Sequence, residues 1–136
     1  MSFLLDTDLL SLLERKRVPE KFAAWVQAHE PEILLSIVSL AEIEYGLQQA
    51  PVTHRQHLEG WLKETRMKYS DSTESLTEPV LVRWKQLLLE LRTKRRTMTC
   101  EDSLIAATAL FHGHIVATRN KRHFEPAGVQ VIDPLD

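Results

Sequence analysis

The stretch ILLSIVSLAEIEYGLQQA, residues 33–50, changes its period part-way along. Its first six residues, ILLSIV, form an apolar and partly β-branched run, which reads as a strand buried on both faces. From Ser39 onward, Leu40, Ile43 and Leu47 recur at helical spacing, so a helix follows. A strand that is apolar throughout, with a helix directly behind it, is the repeating unit of a parallel sheet. The unit recurs outward in both directions. FLL at 3–5 is a short buried strand followed by a helix carrying Leu9, Leu10, Leu12 and Leu13, and IVAT (115–118) and VQVID (129–133) are further strands. Pro19 opens a helix through Phe22, Trp25 and Val26, which breaks at HEPE. Leu58, Trp61 and Leu62 mark an amphipathic helix, and Val80, Leu81, Trp84, Leu87, Leu88 and Leu91 mark another. EDSLIAATALFHGH is a small-residue helix ending near Gly113, and SDSTESLTEP is the most loop-like stretch. The alternation predicts an α/β chain, with one domain over residues 1–136. Its architecture is three-layer α/β/α around a mainly parallel central sheet.

Composition bounds the function. The chain has 136 residues, 43% apolar and 26% charged, and no run near the ~20 apolar residues of a membrane span. No basic segment leads into an apolar one at the start, so no secretory signal is expected. One cysteine, Cys100, excludes an internal disulfide and suits a reducing cytoplasm. Net charge is −2, so a nucleic acid would have to be held by local basic patches. RTKRR (92–96) and TRNKRHF (118–124) are such patches, and ERKR (14–17) is a weaker one. Each alone reads as a solvated helix end or loop.

In parallel sheets ligands bind beyond the carboxyl ends of the strands. Asp6 follows FLL, Glu42 is expected in the first turn of the helix after ILLSIV, Asp102 opens the SLIAATAL helix, and Asn120 follows IVAT by two residues. Each acid has a plainer reading. SLAE fits a capping box in which Glu42 satisfies Ser39; Thr99 to Asp102 fits the same template, and Asp6 or Asp8 suits a helix cap. Jointly, acids at successive strand-to-helix junctions point to one rim. Converged carboxylates repel one another and call for a hard cation, Mg2+ or Mn2+. Such an ion serves phosphoryl chemistry, and Arg119, Lys121 and Arg122 would draw in a polyanion. The combination points to a nuclease.

LLDTDLL, SIVSLAEIEYGL, EDSLIAATAL and ATRNKRHF…GVQVIDP together resemble the motifs of VapC-type PIN-domain ribonucleases, the toxin halves of bacterial toxin–antitoxin pairs. The resemblance runs in order along essentially the whole chain. It implies a PIN-like fold and metal-dependent cleavage of single-stranded RNA, with transfer RNA or ribosomal RNA as target. It implies Asp6, Glu42 and Asp102 as metal carboxylates, Asn120 as a weaker fourth contributor, and hydroxyl support from Thr7 and Thr118. It also implies a cognate antitoxin, a homodimer through apolar helical surfaces in the first half, higher toxin–antitoxin assembly, and operator DNA contacted only through the antitoxin. Two departures stand out. Asp8 occupies a position where the family usually has Asn, and its first reading is a helix cap. Asn120 and His123 stand where relatives carry an acid, which bears on a second ion and on manganese preference.

Two other classes fit less of the chain. An aspartyl-phosphate phosphatase would want a late Gly-Asp pair, and no glycine here precedes Asp. A non-catalytic RNA-binding protein on the same scaffold would not need three acids. Zinc chemistry lacks HExxH; the pairs His54/His57 and His112/His114 read as surface histidines, and Cys100 lacks an evident base.

Overall fold

In the computed structural model, which describes residues 1–136, each apolar run becomes a strand. The strands are β1 (Phe3–Leu5), β2 (Ile33–Ser36), β3 (Thr73–Glu74), β4 (Ile115–Ala117) and β5 (Val131–Ile132), and the order across the sheet is β3-β2-β1-β4-β5. All neighbours are parallel, with Phe3 beside both Ile33 and Ile115. The connections are helical: α1 (Thr7–Leu12), α2 (Glu20–His29), α3 (Ile37–Gln49), α4 (Val52–Lys68), α5 (Glu78–Lys94), α6 (Cys100–His112) and α7 (Lys121–Phe124).

Alternation along the strands divides the core into two layers. Phe3, Leu5, Ile33, Leu35, Ile115 and Ala117 face one cluster, with Leu9, Leu10, Phe22, Leu40, Ile43, Leu47 and Leu62 from α1 to α4. Leu4 and Val116 face the other, with Leu87, Leu91, Ile105, Ala106, Ala109 and Phe124 from α5 to α7. This is the three-layer α/β/α arrangement that continuous apolar strands require, since both faces of the sheet must be covered. Full burial of each such leucine or isoleucine contributes about 1.5–3 kcal/mol.

Two expectations are corrected. The run ILLSIV does not stay extended to Val38: the chain turns at Ser36, whose hydroxyl accepts from the Val38 amide at 3.0 Å and caps α3. The helix therefore starts at Ile37, Glu42 lies beyond its first turn, and Ser39 is not its cap. The loop-like stretch 70–79 contains β3, an edge strand of two residues that pairs with Leu35 and Ser36. So short a strand presents no period to read.

The strand order reverses between β1 and β4. One half of the chain winds outward through β2 and β3, the other through β5. Such a switch point leaves a crevice outside the carboxyl ends of the two central strands, and there the Asp6 amide donates to the Ala117 carbonyl at 3.0 Å.

Candidate active site at the switch point

Asp6 leaves β1 and is 4% exposed. Its Oδ1 accepts from the Leu9 amide at 2.8 Å, so it is the N-cap of α1. Its Oδ2 accepts from the Thr118 hydroxyl at 2.6 Å, and Thr118 itself is wholly buried at the end of β4. Burial pushes the Asp6 carboxyl up to about 6; the two hydrogen bonds pull the other way, and Asp8 and Asp102 raise it further. The cap reading of Asp6 and a role at the rim thus coexist, because one oxygen serves each.

Glu42 comes from α3. The Thr7 hydroxyl donates to its Oε1 at 2.6 Å, and Ser39, one turn earlier and fully buried, lies 2.8 Å from the same Thr7 oxygen. Thr7 has one proton and gives it to the carboxylate, so Ser39 is the donor in that second contact. Asp102 stands in the first turn of α6, whose cap is Thr99, accepting from the Asp102 amide at 3.1 Å. Burial raises the carboxyls of both Glu42 and Asp102. Asp102 repels Asp6 and Glu42, while Glu101 repels Glu42 and Asp102. The three acids therefore converge on one rim, yet without the packing of donor atoms within 4.8 Å that Glu74, His112 and His114 reach elsewhere.

None of Asp6, Glu42 and Asp102 forms an ion pair with Lys or Arg; the His123 Nδ1 lies 3.6 Å from the Asp102 Oδ2, and Arg119, paired with Asp8, acts on Asp6 only at longer range. Partly desolvated carboxylates with hydroxyl support and no basic partner fit a hard divalent ion. Asp102, His123 and Arg122, with Thr97, Met98 and Thr99, line a cleft of about 400 Å3.

The remaining expected residues divide. Asp8 does not cap the helix; it accepts from the Arg119 Nε at 2.6 Å and its Nη2 at 3.2 Å. This bidentate pair occupies the charge of Arg119. The Asn120 side-chain nitrogen faces the same Asp8 at 3.5 Å, and its backbone amide donates to the Thr118 hydroxyl at 2.9 Å. Lys121 lies 3.7 Å from Asp136, an exposed pair, whereas Arg122 makes no ion pair. Reading the sequence missed Ser39 and Glu101. Ser39 was legible as the residue one turn before Glu42; for Glu101 only adjacency to Asp102 pointed that way.

A parallel sheet with acids gathered at its switch point fits a PIN domain, and the chain belongs to that family: the PIN domain model matches residues 3–129. Within it the similarity is to VapC-type members. VapC ribonuclease Y4jK of Sinorhizobium fredii is 31% identical, over 97% of this chain and 96% of the relative. Plasmid stability protein StbB of Pseudomonas syringae pv. tomato is 32% identical over 98% of each. The crystal structure of FitAcB from Neisseria gonorrhoeae superposes with a TM-score of 0.88 at 27% identity, over 97% of each chain.

Proposed function

We propose that this chain is the toxin of a toxin–antitoxin pair and acts as a metal-dependent endoribonuclease on single-stranded segments of a structured RNA. One observation carries the metal dependence: Asp6, Glu42 and Asp102 share a rim, burial raises all three carboxyls, and none of them forms an ion pair with Lys or Arg. Structural carboxylates at this depth ordinarily pair with a base.

In this reading Asp6, Glu42 and Asp102 hold Mg2+ or Mn2+. The ion supplies an activated water and charge neutralisation at the scissile phosphodiester. Thr118 and Thr7 hold the Asp6 and Glu42 carboxylates in place, each through one short hydrogen bond. Arg122 is the cation free to meet a phosphate beside Asp102, and His123 offers a second donor on the same wall of the cleft. Arg119 contributes through Asp8, which it neutralises, so the Asp8 charge is not available to a second ion. Asn120 is a positioning residue in that pair. A cognate antitoxin blocks the rim most directly with an arginine, whose fork matches the carboxylates. Exposed Ile37, Tyr45, Val52 and Met67 on α3 and α4 are the apolar surface for a homodimer.

The test is cleavage of RNA by the purified chain with Mg2+, with Mn2+ and with chelator, beside Asp102→Asn, followed by sequencing of the cut ends. Cleavage that needs the ion and vanishes in Asp102→Asn supports the reading. Cleavage indifferent to both refutes it.

A further inference from the structure

His112 ends α6, the helix whose first turn carries Asp102, so the two lie about 15 Å apart along its axis. Gly113 then takes the left-handed conformation, φ 76°, and turns the chain back so that His114 stacks on His112, ring centroids 5.3 Å apart and planes 19° from parallel. Both imidazoles meet one carboxylate. The His112 Nε2 is 2.7 Å from the Glu74 Oε2, and the His114 Nε2 is 3.7 Å from the Glu74 Oε1.

We infer that Glu74, His112 and His114 form a Zn2+ site, separate from the acidic rim, that ties the edge strand β3 to the end of α6. The ligand atoms of all three already lie within 4.8 Å of one another. Tetrahedral zinc with bonds of about 2.0–2.1 Å spaces its donors about 3.3–3.4 Å apart, and the separations of 2.7 and 3.7 Å straddle that value. The two separations run to different oxygens of Glu74, so ligation would open His112 from the carboxylate and draw His114 toward it.

His114 supplies the independent sign of a ligand. Its side chain is 11% exposed, and its Nε2 is buried with no hydrogen-bond partner, since 3.7 Å is beyond such reach. Its other ring nitrogen is held at 2.5 Å by the Ser2 hydroxyl. When Nδ1–H donates to Ser2, Nε2 turns a lone pair toward a carboxylate oxygen, and two acceptors face each other across a gap that a cation fills. A ligating histidine held by a hydrogen bond at its second nitrogen is the usual arrangement at metal sites. Two imidazoles and one carboxylate suit zinc rather than magnesium. They leave a fourth position open on the exposed side, where His112 sits. Glu14 with His54 and His57 does not match it: both histidines approach the Glu14 Oε1, at 3.6 and 3.4 Å, but they are largely exposed and the three donors do not gather within 4.8 Å of one another.

The test is zinc content after dialysis of the full chain against Zn2+, with Co2+ substitution read by its visible tetrahedral absorption. The wild type and Asp102→Asn are expected to hold the same equivalent of zinc, and His112→Ala and Glu74→Gln to lose it. His54→Ala is expected to keep it. Ser2→Ala, which leaves all three ligands in place, is expected to bind about 10–100-fold more weakly. Zinc retained by His112→Ala and Glu74→Gln, or absent from the wild type, overturns the assignment. Zinc lost only with Asp102→Asn overturns it equally, by placing the ion at the rim.

Discussion

Asp6→Asn separates stability from function at a single atom. The folded Asp6 carboxyl is raised from 3.8 to about 6, a difference of roughly two pH units, or about 3 kcal/mol. Because the folded state holds this proton more tightly than the unfolded chain, the contribution is fully present at low pH. It is lost as pH rises through about 6. Near pH 8 the metal-free wild type therefore carries an ionised, buried carboxylate at its full cost, and the neutral amide does not. The amide oxygen can still accept from Leu9, but its nitrogen meets Thr118, which must then accept instead of donating. The charge-assisted strength of that bond is already contained in the net rise of the carboxyl, so it is not subtracted again. The net expectation is that Asp6→Asn is about 3 kcal/mol more stable than wild type in chelator near pH 8, a rise in Tm of roughly 6–12 °C. The gap should close as pH falls through 6 toward 4. Saturating Mg2+ or Mn2+ should narrow it by stabilising the wild type alone. Thermal and urea denaturation across that pH range, with and without the ion, measures all three. A variant less stable than wild type near pH 8 in chelator, or a gap that ignores pH, would refute the reasoning.

Asp102→Asn should lower RNA cleavage by about 100-fold or more in a gel assay while leaving the Tm within a few degrees, since its carboxylate is a site group rather than a core one. Thr7→Val removes the donor to Glu42 and should cost about 1–3 kcal/mol; in metal titrations of activity it should raise the ion concentration needed for half-maximal cleavage. Arg122→Ala should weaken RNA binding and reduce the slope of log affinity against log salt by about 1. Arg119→Ala should change that slope less, because its guanidinium is already paired with Asp8; equal slopes for the two variants would contradict the division of roles.

Much of the fold was legible because it depends on period. Continuous apolar runs at 3–5, 33–35 and 115–117 can be buried only between two helical layers, and Asp6 follows a strand and Asp102 opens a helix where a parallel sheet exposes its ligand edge, with Glu42 one turn further into α3. β3 was not legible, since two residues carry no pattern. The start of α3 was misplaced because Ser36 and Ser39 are both plausible caps in sequence; only Ser36 has extended backbone and a hydroxyl on the Val38 amide.

The side-chain partnerships were beyond the sequence for a different reason. Asp8 and Arg119 are 111 residues apart, as far as Asp6 and Thr118 nearly are at 112, and nothing local distinguishes a cap from half of an ion pair. The order of apolar and polar residues by itself determined the layers, the parallel sheet and the acids carried to its edge, because burial acts on every residue according to its own chemistry. Which acid keeps a free charge, which arginine is neutralised and which histidines share a carboxylate were decided only in the tertiary structure. Hydrogen bonds and charge pairs need separations of a few ångströms, and strand order alone brings those groups that close.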